Sequence, residues 1–255
     1  IELIQQLRSK SIAIELTECD LISNPWDLIN FNQKYIEEDF QTHAQAGIIK
    51  GNMKPFSIIY NDSNVFINEN STIEDFVIIN AEKGPILIEE NVSIHAHTRL
   101  VGPLYIGKNS TILGGILQNS SIGENCKIHG EVSHSIIESF SNKAHHGFLG
   151  HSYVGNWCNL GAGTTTSNLK NNYSNVTVIN GKNKTNTQTQ FLGTIFGDFV
   201  KTAIGTQLNS GSILSIGTSL FNHNFKEKFY PPFSWGYNEK QTAYDIDKFI
   251  KTTEI

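Results

Sequence analysis

Charged side chains are few. Asp, Glu, Lys and Arg make up 17% of 255 residues, with a formal net charge of −5. That balance argues against nucleic acid or an anionic membrane surface as the main partner. Cysteine is scarcer still: Cys19, Cys126 and Cys158 form an odd set with no CxxC spacing. Three free thiols in a reducing, cytoplasmic setting are expected. No apolar run reaches the length that spans a bilayer, and the first residues, IELIQQLRSK, lack the apolar core and cleavage site of a signal peptide. The chain begins on Ile1 rather than Met, and the expectation is the back part of a longer polypeptide.

What is plentiful is Asn, Ser, Thr and Gly, residues that suit tight corners because Asn and Gly accept positive φ. Between those corners the apolar residues recur every six positions. Ile67, Ile73 and Ile79 form one run, and Ile88, Ile94, Leu100, Ile106 and Ile112 a second. After a skip at Gly114-Gly115, Ile122 and Ile128 continue it, followed by Phe148, Val154, Leu160 and Thr166, with Ile204 and Ile216 near the end. A period of six fits neither a helix nor an ordinary strand. It builds a parallel β-helix in which three hexads close one triangular coil, and Val65 to Ile216 allows roughly eight or nine coils. Each apolar side chain then stacks about 4.8 Å above its equivalent.

Three regions follow. Residues 1–55 lie outside the hexads and read as a linker or the end of a preceding domain. Within them Leu3, Ile4 and Leu7 have helical spacing, SIAIEL reads as a strand, and Asn24-Pro25 starts a helix whose stripe is Trp26, Ile29, Phe31 and Ile36. Residues 56–220 are expected to form the all-β parallel β-helix, left-handed by the resemblance described below. Residues 168–193 leave it as an excursion, with a hairpin around Asn180-Gly181 whose Lys182 or Lys184 could meet a phosphate. Residues 221–255 cap the coil with FYPPFSW and end in a helix carrying Tyr244, Ile246, Phe249 and Ile250.

Chemistry concentrates in KAHHGFLGHSYVGNWCNLGAGTTTSNLK, residues 143–170. Five of the nine histidines fall between His129 and His151, and imidazole is the side chain best suited to exchange protons near neutral pH. His145 and His146 stand out because Asn159 follows fourteen residues after the first, directly before Leu160-Gly161-Ala162-Gly163. In a coil of eighteen, that interval brings the carboxamide most of the way round to the next layer.

These residues resemble the left-handed β-helix acyltransferases. Among these acyltransferases they resemble the C-terminal half of the GlmU-like bifunctional sugar-1-phosphate uridylyltransferase/glucosamine-1-phosphate acetyltransferases. The matching pieces are His145, Phe148-Leu149-Gly150, Asn159-Leu160-Gly161-Ala162-Gly163-Thr164 and Asn168-Leu169. A likeness over nearly the whole chain links it to a subgroup of sugar nucleotidyltransferases of Bacteroidetes-type bacteria, through PWDLINFNQKYIEEDF, INAEKGPILI, KTAIGTQLNSG and PPFSWG. The Gly-rich nucleotide-binding loop of the front domain is absent, so this stretch alone is not expected to activate a sugar phosphate. Phe148 and Leu169 stand where the acetyltransferases carry tyrosines.

The resemblance implies acyl transfer, with acetyl-CoA as co-substrate and no metal, to a sugar phosphate or nucleotide sugar in a homotrimer. It implies His145 as the base, with His146 as the alternative, and Asn159 orienting. Lys143, Phe148, Asn168 and Arg99 would meet the acceptor sugar, and Gly161, Ala162, Lys201 and Thr206 the coenzyme. Two other readings stay open. One is a trimerisation and regulatory β-helix without catalysis. The other is a zinc site like that of the γ-type carbonic anhydrases, using His146 and His151, five apart, and a third histidine from a neighbour.

Overall fold

The structure, a computed structural model, describes residues 19–43, 45–221, 227–236 and 242–254. The helix and strand expected between Leu3 and Leu16 lie outside them. The chain winds into a left-handed parallel β-solenoid of about ten turns. Its three walls are named here by their inward columns. Wall A stacks Ile59, Ile79, Leu100, Leu117, Val132 and Leu149. Wall B runs in register from Ile49 through Ile67, Ile88, Ile106, Ile122, Ile137, Val154, Phe196 and Leu214 to Tyr230. Wall C stacks Met53, Ile73, Ile94, Ile112 and Ile128. Most of these side chains are fully buried in one continuous core, so the hydrophobic effect acts along the whole axis.

Four readings of the hexads need correction. The coil starts one turn before Val65, because Ile49, Met53 and Ile59 already pair with the next rung. Those positions stand four and six apart at a solenoid end, where the period is hard to see. Phe148 is part-exposed and Leu149 takes the inward place, since this rung is seventeen residues long rather than eighteen. Ile204 is 72% exposed and Ile216 41%, while Thr202, Leu208, Leu214 and Leu220 face inward. The segment FYPPFSW does not lie across the end. Its Tyr230 and Trp235 continue walls B and C, pairing with Leu214 and Ser219.

The shortened rungs share one device. At the corner between walls C and A, Gly115, Gly130 and Gly147 have φ of 101°, 91° and 134°, values that an L side chain rarely adopts. A Cβ on Gly115 would sit 2.1 Å from the Gly130 carbonyl oxygen, and one on Gly147 2.2 Å from that of Thr164. Backbones thus approach more closely there than any other residue permits.

Helix α1 (Pro25–His43) begins where Asn24-Pro25 implied, with the Asp27 carboxylate accepting from the Ser23 and Asn24 amides. Its buried face is Trp26, Ile29, Ile36 and Phe40. Phe40 packs near Phe66 and Leu87, and Trp26 and Ile29 near Ile195 and the hairpin residues Val176 and Val178. Nineteen residues at 1.5 Å each span about 28 Å, and six rungs at 4.8 Å about 29 Å. The helix therefore runs antiparallel to the axis and covers the outside of wall B. Walls A and C keep their outer faces.

The hairpin pairs Thr177–Asn180 with Asn183–Asn186 around Gly181. Helix α2 (Ile246–Thr253) is capped by Asp245 and docks through Phe249 on Phe199 and Phe233. Ile246 and Ile250, expected to dock with it, are half-exposed. Cys126 and Cys158 are buried and Cys19 exposed, with no disulfide among the described residues. No described helix is long and apolar enough to cross a membrane.

Candidate active site at the corner of walls C and A

Three successive rungs meet at this corner. The first carries His129-Gly130, the second His145-His146-Gly147 and the third Gly161-Ala162-Gly163. The His146 carbonyl accepts from the Gly163 amide at 3.0 Å. Its ring Nε2 stands 3.8 Å from where a Cβ on Gly163 would be. The imidazole thus lies over the glycine turn. His145 is exposed beside it, its carbonyl accepting from Lys143.

The amides of that turn are unequally committed. Gly161 N–H donates to the Thr202 carbonyl and hydroxyl, both at 3.1 Å, and Gly163 N–H to His146. Ala162 N–H has no hydrogen-bond partner among the described residues. A free amide at an open corner is a ready donor for a developing negative charge. On the adjoining outer face of wall C, Asn142, Asn159 and Lys201 stand in register. Asn159 therefore flanks the corner one rung from His146, and Lys201 the next rung on.

The remaining candidates are elsewhere. Lys143 points into the lumen and is only 3% exposed, so its amine does not reach a phosphate outside. Thr206 is buried and its hydroxyl donates to the Ala203 carbonyl, which withdraws it from a coenzyme. Arg99 lies on the outer face of wall A three rungs from Phe148, past Ile116 and Glu131, about 14 Å away. Asn168 is at the other end of wall A, where its carboxamide hydrogen-bonds His151 Nδ1 at 2.9 Å. Lysine and threonine at inward phases of the coil were read as surface residues. Only counting fifteen residues from Ile128 to Lys143 could have placed that lysine inside.

His129 was missed as a site residue, yet the coil lays it beside His145 and His146. Its pKa is lowered by burial first, then by Lys143, His146 and His145, and its Nδ1 is buried with no hydrogen-bond partner among the described residues. The available signal was its place directly after inward Ile128, matching His95 after Ile94.

His134 and His151 occupy the corner between walls A and B, both at positive φ. Their rings stack at 4.5 Å, and Phe191 covers His151 at 5.2 Å. His146 and His151 therefore stand at opposite ends of wall A and cannot share one metal ion within a chain. No group of three metal-ligating side chains occurs among the described residues. Burial pushes His151 down to about 4, with His134 adding to it, and burial lowers His134 as well. An unfolded imidazole titrates near 6.5, so between about 4 and 6.5 the unfolded chain takes up protons that the folded one refuses. The stacked pair's stabilisation is complete above pH 6.5 and is lost as pH falls toward 4. With the ring part-exposed, the expected loss is about 2 kcal/mol. Denaturant unfolding at pH 7 and pH 4.5 should show that loss in the native chain and a smaller one in His151→Phe.

Fold and corner together define a hexapeptide-repeat β-solenoid with imidazoles set against a glycine turn. No protein-family model matches the chain. Curated proteins do match, and they carry the name bifunctional protein GlmU. The one from Methanococcus vannielii is 28% identical over 214 residues, covering 82% of this chain and 45% of that protein. The one from Methanocaldococcus jannaschii is 31% identical over 194 residues, covering 74% and 40%. The chain is thus a β-solenoid similar in sequence to part of the bifunctional GlmU proteins, and it spans less than half the length of these relatives.

Proposed function

We propose that this chain transfers an acyl group, acetyl in the first instance, from coenzyme A to an amine or hydroxyl of a sugar phosphate or nucleotide sugar. The observation that carries the reading is the His146 ring over Gly163 beside the uncommitted Ala162 amide. Acceptor attack on a thioester needs a base and an oxyanion donor within one rung of each other. His146 Nε2 takes the proton from the acceptor as its nitrogen or oxygen bonds to the acyl carbon. Ala162 N–H receives the carbonyl oxygen as it becomes negative. When the carbon–sulfur bond breaks, the imidazolium returns the proton to the leaving thiolate. Asn159 orients the acceptor, and Lys201 pairs with a coenzyme phosphate as a point charge.

With wall B covered by α1, a homotrimer would assemble through walls A and C and their shared corner, setting each site between two copies. Phe148 favours a second reading, a trimerisation and regulatory element for a nucleotidyltransferase. Its ring packs over the backbone of Gly150 and offers no hydroxyl to a sugar phosphate. Acetyl-CoA turnover against a panel of amino-sugar phosphates and nucleotide sugars decides between them. Thiol release that depends on one acceptor supports transfer. Release with none, together with no coenzyme A binding by calorimetry, supports the regulatory reading.

A further inference from the structure

Lys143 occupies a position that most rungs of wall C fill with an apolar side chain, Thr202 being the other polar residue of that column among the described residues. The inward column of wall C runs Ile94, Ile112, Ile128, Lys143, Leu160. The side chain is 3% exposed. Its Nζ donates to the His129 carbonyl at 2.8 Å and to the His145 carbonyl at 3.1 Å. These carbonyls belong to successive rungs, so one ammonium ties together the two backbone segments that bear the corner histidines. Gly130 makes room for it: a Cβ there would lie 3.0 Å from Nζ.

An ammonium in this place is a poor choice for stability alone. Burial penalises the charge, and an apolar side chain of similar volume fills such a site at less cost. No carboxylate lies within ion-pair distance of it among the described residues. The groups that face it are His129, His145 and His146 along the corner and Glu131 on wall A. Desolvation pushes its pKa down to about 8, partly offset by Glu131, so it is mostly charged at neutral pH.

We propose that Lys143 is a positioning residue of the corner site, its ammonium clamping the His129 and His145 carbonyls and so fixing the backbone that holds His146 against Gly163. What the corner does rests on the acyl-transfer reading; how it is held does not. Lys143→Met separates a clamp from a filler. The thermal midpoint should stay level or rise. The His129 imidazole, followed by NMR titration, should move up once the neighbouring charge is gone. The kcat for acyl transfer should fall about tenfold or more with KM little changed. A lower midpoint with an unmoved His129 titration would overturn the proposal. If the native chain transfers no acyl group at all, the functional reading fails, while the titration and the midpoint still decide the clamp. In the native chain, amine-selective labelling at pH 8 with mass spectrometry should leave Lys143 among the slowest lysines. Labelling at the rate of the exposed lysines would also overturn it.

Discussion

Replacing His146 by alanine is expected to lower acyl transfer by roughly 10²- to 10⁴-fold, the usual worth of a positioned general base. His146 is exposed, so melting should move by little, about 0.5 kcal/mol or less. His145→Ala is the matched comparison. Counting residues from Asn159 favours His145; both rings are exposed and make no side-chain hydrogen bond among the described residues, but His146 Nε2 stands 3.8 Å from the Cβ position of Gly163. The expected order is a large loss for His146→Ala and a loss under about tenfold for His145→Ala. The reverse order would restore His145 as the base and leave the corner in place.

Gly147→Ala should be among the most damaging small substitutions at the described residues. Its φ of 134° lies where only glycine is at ease, which costs another residue about 1–3 kcal/mol. The new Cβ would also meet the Thr164 carbonyl oxygen at 2.2 Å, a backbone atom that cannot swing aside. Together these should cost about 3 kcal/mol and lower the melting temperature by roughly 6–12 °C. Activity should fall with stability, because the rung that must shift carries His146. Gly163→Ala supplies an internal control. Its φ is 75° and nothing approaches its Cβ position closer than 3.6 Å, so only the left-handed penalty of about 1 kcal/mol applies. Equal losses at the two positions would mean that close rung-to-rung approach is not what the glycine column serves.

The solenoid was legible because each inward apolar residue on a regular rung repeats at six, and neither Ile67 to Ile79 nor Ile88 to Ile112 breaks that rhythm. Legibility failed where rungs shorten or loops intervene. At Phe148 a seventeen-residue rung shifts the inward place to Leu149. Around Ile204 the hairpin excursion hides the phase, and the true inward series is Leu208, Leu214, Leu220. The site was half legible. His146, Asn159, Ala162 and Lys201 meet at one corner because the glycine turn and its flanks are contiguous in sequence. Lys143 and Thr206 face inward, and Asn168 and Arg99 lie away from that corner within one chain. A residue's type states what it can bind, but only its phase around the coil states whether it faces lumen, wall or corner.

A structure of the chain with bound coenzyme A would test this directly. The account predicts the thiol at the edge where walls C and A meet, within hydrogen-bond reach of the Ala162 amide and facing the His146 ring. A coenzyme resting instead against the stacked His134–His151 pair, or along the face that α1 covers, would contradict it.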